Sequence, residues 1–165
     1  EMAYAYSNLY DINCIGLRFF TVYGPWGRPD MAYYKFVNNI IFDKEIKVYG
    51  NGKMKRDFTY IDDVVKVVIN LIENAKFEKS KIFKSKIFNI GNSNPVELSY
   101  FIKVIEEAIG KSASKIYLEM QDGDMSVTCA NTKKLKDEIN LLPNTKIEEG
   151  IPRFVTWFKN YYKLN

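Results

Sequence analysis

The sequence predicts an α/β fold in which short strands pack with helices, and three observations predict it. Short apolar runs alternate along the chain with segments whose apolar residues recur every three or four positions. Glycine, proline and asparagine mark the joins between them. Hydrophobic residues make up 47% and aromatic residues 15% of the 165 positions, enough for one compact core and too much for a disordered tail.

Each element has its own warrant. Glu1 to Tyr10 reads as the middle or end of a helix, because no capping residue precedes it. Cys14-Ile15-Gly16-Leu17-Arg18-Phe19-Phe20 is a mostly apolar run that suits a buried strand. A loop rich in glycine and proline follows, from Thr21 to Asp30. Residues from Tyr33 to Asp43 have a helical period, with Phe36, Val37, Ile40 and Ile41 on one face. Ile46 to Tyr49 predicts a second strand, closed by the turn Gly50-Asn51-Gly52. Asp57 to Ile61 is extended, and Asp62 is a good N-cap for a helix carrying Val64, Val65, Val68, Leu71 and Ile72.

A lysine-rich loop, Lys79 to Lys86, then leads to a strand at Ile87 to Gly91. Leu98, Phe101, Ile102, Ile105 and Ile109 predict a helix, with Gly110 as its stop. Ile116 to Leu118 is a further strand. Thr145 to Glu148 has capping-box spacing before a last helix bearing Ile151, Phe154, Val155, Phe158 and Tyr162.

Composition narrows the chemistry. The chain has no histidine, so a histidine triad or histidine-ligated zinc is impossible within it. Cys14 and Cys129 are too few for a disulfide framework and lack metal-ligand spacing, so a reducing, cytoplasmic setting and no metal are expected. No apolar run reaches membrane-span length, and no membrane partner is expected. The net charge of +4 is a mild bias. The lysine-rich loop lacks a reading helix or an aromatic platform, so it reads as a solvated linker and no nucleic-acid partner is expected.

Three segments carry candidate chemistry. In the first, Arg18-Phe19-Phe20-Thr21-Val22-Tyr23-Gly24-Pro25-Trp26-Gly27-Arg28-Pro29-Asp30-Met31-Ala32, a strand ends in a loop stiffened by prolines and tightened by glycines. Ligands of open α/β sheets bind beyond such strand ends. Thr21 offers a hydroxyl there and Arg28 a planar cation suited to carboxylate or phosphate. An ordinary aromatic-rich connection is the competing reading. In the second, Val48 to Val64, the glycines around Asn51 allow close backbone approach and Arg56 supplies aligned donors for an anion; a hairpin with an exposed arginine is the alternative. The third comprises Met120-Gln121-Asp122-Gly123-Asp124 and Ala130-Asn131-Thr132-Lys133-Lys134-Leu135.

These segments together resemble the NAD-dependent epimerase/dehydratase family, the extended short-chain dehydrogenases. The run Thr-Val-Tyr-Gly-Pro-Trp-Gly-Arg-Pro-Asp-Met-Ala is similar to the subgroup that epimerises UDP-glucuronate at C4. The resemblance covers essentially the whole chain and implies the C-terminal portion of an extended Rossmann-type epimerase, with residues 1–165 forming one nucleotide-sugar-binding domain. The family's Gly-x-x-Gly-x-x-Gly fingerprint is absent. Tyr4, Tyr6 and Tyr10 have no lysine four residues later, so the family's catalytic Tyr-x-x-x-Lys is expected upstream, with the NAD-binding half. On its own the chain is expected to be inactive.

The resemblance implies roles for particular residues. Tyr49 lies near the uracil and Arg56 binds the diphosphate. Thr21 and Arg28 hold the sugar carboxylate, with Thr21 assisting catalysis. Phe20 and Tyr23 pack by the nicotinamide, although Phe20 also suits a core. Gln121 and Asp124 lie near the nucleotide, but Asp122 stands where proline is usual and Gln121 where many relatives carry arginine, so a polar turn is the alternative. Lys35 either adds charge near the phosphates or faces solvent. The implied cofactor is NAD, the implied partners are a UDP-sugar and a second subunit, and the implied setting is polysaccharide synthesis. UDP-glucuronate decarboxylation, 4,6-dehydration and a non-catalytic interaction module are the competing functions. Convergence of Thr21, Arg28 and Arg56 on one cavity is the geometric expectation that the enzyme reading rests on.

Overall fold

The computed structural model describes residues 1–77 and 85–164. It is a mixed α/β assembly in which four pairs of short strands are wrapped by helices. Helix α1 (Met2–Tyr10) leads into β1 (Cys14–Phe19) and β2 (Thr21–Tyr23). Helix α2 (Ala32–Ile41), β3 (Ile46–Tyr49), β4 (Lys55–Arg56), β5 (Phe58–Tyr60) and α3 (Ile61–Asn74) follow. The second half holds β6 (Ser85–Ile90), β7 (Val96–Glu97), α4 (Leu98–Ile109), β8 (Lys115–Leu118), α5 (Lys133–Ile139) and α6 (Ile147–Tyr161).

Three of the pairs are parallel, β1 with β6, β2 with β5 and β3 with β8, while β4 and β7 run antiparallel. The chain changes neighbours at Phe20. Its N–H donates to the Ile90 carbonyl at 3.0 Å, and the next N–H, of Thr21, donates to the Asp57 carbonyl at 3.1 Å. That step opens a crevice at the strand end, the place where open α/β sheets hold ligands.

Two apolar cores result. The larger joins α2, α4 and α6 over β2, β3 and β5, around Tyr23, Tyr33, Phe58, Phe101, Phe154 and Phe158. Phe58 and Phe101 stack face to face with centroids 3.8 Å apart. The smaller core packs α3 and α5 on β6 through Val64, Val67, Leu71, Phe88, Ile90 and Leu135.

Several local readings change. The first strand is not enclosed: Phe19 is 51% exposed, and among the described residues β1 pairs with β6 alone. Helix α3 buries Val64, Val67 and Leu71, while Val65 and Ile72 face outward; valines at 64, 65, 67 and 68 leave the phase of the pattern ambiguous. Asp62 lies inside the first turn of α3, not at its cap. Thr145 does not cap α6, which starts after Lys146. Tyr162 ends α6 half-exposed, its hydroxyl 2.8 Å from that of Tyr34. Gly110 does stop α4, in the left-handed conformation at φ 80°.

Most of the lysine-rich segment lies outside the described residues. Lys86 belongs to β6, where its ammonium meets Glu138 at 2.6 Å. Burial alone would push the Glu138 carboxyl up, but hydrogen bonds from the Lys86 side chain and the Lys76 N–H outweigh it and hold it below the usual carboxylate range. No helix among the described residues is long and apolar enough to cross a membrane.

Gly150 shows how tightly the larger core closes. A Cβ there would lie 2.1 Å from the Tyr23 hydroxyl and 2.8 Å from its ring carbon Cζ. Glycine to alanine inside a helix ordinarily stabilises by about 1 kcal/mol. Here Gly150→Ala is expected to destabilise by about 1–3 kcal/mol through overpacking, and adding Tyr23→Phe should restore part of the loss; urea denaturation of the three variants checks both.

Candidate functional site

A cleft of about 610 Å³ opens at the crevice where the chain passes from β1 to β2. Thr21 and its register partner Phe58 form its back. Helix α2 contributes Lys35, Phe36 and Asn39, β3 contributes Tyr49, and Met54, Leu98 and Arg56 close the other side. Its lining combines an apolar floor with six charged side chains, Asp30, Lys35, Glu45, Lys47, Arg56 and Asp124.

Arg56 is the best-held of these charges. Its guanidinium donates to the Met125 carbonyl at 2.6 Å and to its neighbour Lys55 at 3.0 Å, and meets Asp124 Oδ1 at 2.7 Å. The backbone anchors fix the fork in place, so Asp124 is a removable partner and not the only support. An arginine fork held this way presents aligned donors to an incoming anion.

The residue beside it explains why Arg56 faces the cleft. Asp57 is fully buried, and its carboxylate accepts three backbone N–H bonds, from Asn92 at 2.8 Å, Ser93 at 3.0 Å and Ala130 at 2.8 Å. Side chains alternate along an extended segment, so anchoring Asp57 on one face sends Arg56 and Phe58 to the other. Gly91 makes room for the arrangement, since a Cβ there would lie 2.4 Å from Ala130 Cβ and 2.8 Å from Asp57 Oδ2. Asp63 works similarly: its Oδ2 accepts the N–H groups of Asn144 at 3.0 Å and Thr145 at 2.7 Å just before α6.

Thr21, Lys35, Tyr49, Arg56 and Asp124 therefore share one cleft. Arg28 does not line it but borders the adjoining smaller cavity, so the expected convergence on one cavity holds for Thr21 and Arg56 and not for Arg28. Its guanidinium is exposed and bonded to Asp30, with Nε 3.0 Å from Oδ1, and Asp30 itself lines the cleft. The hydrogen-bonded Arg28, with a smaller contribution from Lys35, holds the Asp30 carboxyl below its ordinary range. Gln121 is exposed and lies outside the lining residues.

Phe20 is half-buried on a smaller apolar cavity of about 360 Å³ next to the cleft. Tyr23 is core: only 1% exposed, it is ringed by Tyr33, Phe58, Tyr60 and Phe101. Burial pushes its phenol well above the ordinary range, and the neighbouring Tyr60 and Asp63 push the same way. It stays protonated, and it borders the same small cavity as Phe20. Sequence reasoning missed most of the lining, among it Asp30, Asn39, Glu45, Lys47 and Phe58; Phe58, inside the Arg-Asp-Phe run, is one that a motif could have flagged.

Comparison with known proteins now decides the family. The model described as "NAD dependent epimerase/dehydratase family" matches residues 1–91, more than half of the 165. The chain belongs to that family.

Within it, Protein CapI of Staphylococcus aureus is 44% identical over 173 residues, covering 98% of this chain and 52% of its own length. A probable UDP-glucuronate 4-epimerase of Rhizobium meliloti is 40% identical over 174 residues, covering 98% and 51%. Among solved structures, the UDP-glucuronic acid 4-epimerase of Bacillus cereus in complex with UDP-glucuronic acid and NAD superposes with a TM-score of 0.83 at 31% identity, over 96% of this chain and 49% of that one. The chain thus spans about half the length of the family members it matches.

Loss of the Asp57 carboxylate tests the geometry of this cleft. No amide orientation in Asp57→Asn satisfies all three backbone donors, so the variant should lose about 2 kcal/mol or more of stability. Asp124→Asn, in a partly exposed pair, should lose less than about 1 kcal/mol. Chemical denaturation of the two variants measures the contrast.

Proposed function

We propose that this chain is the nucleotide-sugar-binding part of a longer NAD-dependent epimerase that interconverts UDP-glucuronate and UDP-galacturonate. The observation that carries the reading is the shared cleft of Thr21, Tyr49 and Arg56, in a chain similar to an epimerase that was solved with UDP-glucuronic acid and NAD. Decarboxylation and dehydration are the weaker readings, because the Trp26-to-Ala32 extension is similar to the 4-epimerase subgroup.

In this reading the nucleotide lies along the cleft. Tyr49, half-buried on β3, offers a ring against the base. Arg56 takes the diphosphate, exchanging the Asp124 carboxylate for phosphate oxygens while its backbone anchors stay in place. Asp124 is then free to accept from a ligand hydroxyl. Lys35 adds positive charge on the wall that α2 provides, and Gln121 joins only if its turn folds inward over the ligand.

Thr21 faces the sugar from the strand end. A 4-keto uronic acid is a β-keto acid and loses carbon dioxide when its carboxylate bond aligns with the carbonyl π system. Thr21, with Arg28 released from Asp30, holds the carboxylate out of that alignment. Bound NAD supplies reversible hydride acceptance at C4 of the sugar. This chain meets that cofactor through Phe20 and the edge of Tyr23, which line one small apolar cavity. The chain has no Gly-x-x-Gly-x-x-Gly fingerprint, and its Tyr-x-x-x-Lys spacing, Tyr49 to Lys53, spans the glycine turn after β3 and not a helix, so proton transfer and most cofactor contacts belong to the rest of the enzyme, and the chain alone is inactive. Helix α1, which exposes Met2, Leu9 and Tyr10, is the natural surface for a second subunit in a cytoplasmic homodimer serving polysaccharide synthesis.

Two substitutions in the longer protein separate the roles. Arg56→Ala should weaken UDP-glucuronate binding by about 10- to 100-fold in calorimetry, the size of a lost charge-assisted hydrogen bond. Thr21→Val should raise the share of decarboxylated product, read by chromatography of the sugar nucleotides. Unchanged affinity in the first and an unchanged product ratio in the second would remove the reading.

A further inference from the structure

The turn Gly24-Pro25-Trp26-Gly27 carries its largest side chain where the backbone suits one least. The Gly27 N–H donates to the Gly24 carbonyl at 3.3 Å, closing the turn. Pro25 occupies its second position, and Trp26, at φ 62°, its third. A proline followed by a left-handed residue is the arrangement of a type II turn, whose third position ordinarily takes glycine or asparagine. Glycine is present on both flanks but not at the strained place. The indole is also 77% exposed, so removal of apolar surface from water does not explain it.

What Trp26 does touch is the C-terminal half of α6. Its ring centroid lies 5.4 Å from that of Trp157 and 5.5 Å from that of Tyr161. Trp157 stacks in turn on Tyr161 at 5.2 Å and on Phe154 at 5.7 Å. Phe154 meets Tyr33 of α2 at 5.0 Å, edge to face. The loop is therefore tied through a ladder of rings to the core beneath the cleft wall. Its far end, Asp30 with Met31 and Ala32, lines the cleft, while Gly24, Pro25, Gly27 and Arg28 line the adjoining cavity.

We propose that Trp26 is a positioning residue, a clamp that holds the Gly24-to-Asp30 loop on α6 and thereby sets the wall that meets the sugar end of the ligand. The inference rests on the proposed function for the identity of that ligand. The nucleotide end depends on Tyr49 and Arg56, which belong to β3 and β4 and lie off the loop. Loss of the clamp therefore acts on one end of the ligand only, and that asymmetry distinguishes positioning from general support of the fold.

The test uses the longer protein with Trp26→Gly, Trp26→Phe and Trp157→Leu, titrated calorimetrically with UDP and with UDP-glucuronate. Trp26→Gly relieves the left-handed strain, so the turn should persist. UDP affinity should stay within about 2-fold of wild type while UDP-glucuronate affinity falls by about 10-fold. Trp157→Leu should reproduce that loss, Trp26→Phe should recover most of it, and combining Trp26→Gly with Trp157→Leu should add little. Equal loss of both ligands, or unchanged UDP-glucuronate binding in Trp26→Gly and Trp157→Leu, would overturn the clamp. Wild-type protein that binds neither ligand would instead overturn the proposed function, and the clamp with it.

Discussion

The buried carboxylate of Asp57 ties the first half of this molecule to two loops of the second. Asp57 sits between β4 and β5 and accepts backbone donors from the loop after β6 and from the approach to α5. Removing a carboxylate from water is costly unless its lone pairs are satisfied, and three aligned N–H groups satisfy them. With Asp57 fixed inward, alternation along the chain leaves Arg56 and Phe58 no choice but to face the cleft.

Glycines serve the same closure. Gly91 lies against Asp57 and Ala130, Gly150 against the Tyr23 hydroxyl, and Gly27 against the hydroxyl of Tyr33. At each place a polar group of the interior reaches the backbone of another element, and a side chain would stand in its way. The aromatic core gains its density from these approaches. Burial pushes the Tyr33 phenol up to about 12, with Asp30 adding to the effect, so it too remains a neutral packing group.

The α/β class and nearly every long element were legible in the sequence, because period and turn residues agree there. Helix α4 was read with its stop, and β3 with its glycine turn. Tertiary relations were less legible. Asp62 and Asp63 are equivalent as sequence signals, and only the approach of Asn144 and Thr145, some eighty positions away, selects Asp63. Helix α5, Lys133–Ile139, has one buried residue, Leu135, too little for an apolar period to show. Tyr23 lies in the loop segment that carries candidate chemistry, yet four rings enclose it. Of the candidate site, Thr21, Lys35, Tyr49, Arg56 and Asp124 were brought together. Arg28 was not, because Asp30 two residues on offers it a nearer partner than the cleft.

The Arg56 pair is arranged for exchange. Arg56 and Asp124 both line the cleft, and backbone carbonyls hold the guanidinium from behind, so an anionic ligand meets a cation already oriented, with one carboxylate to displace. A crystal structure of the longer protein with UDP-glucuronate tests this most directly. The account predicts diphosphate oxygens about 3 Å from the Arg56 guanidinium, in the place Asp124 now holds, with the sugar toward Thr21. A ligand bound elsewhere, with the Arg56–Asp124 pair undisturbed, would contradict it.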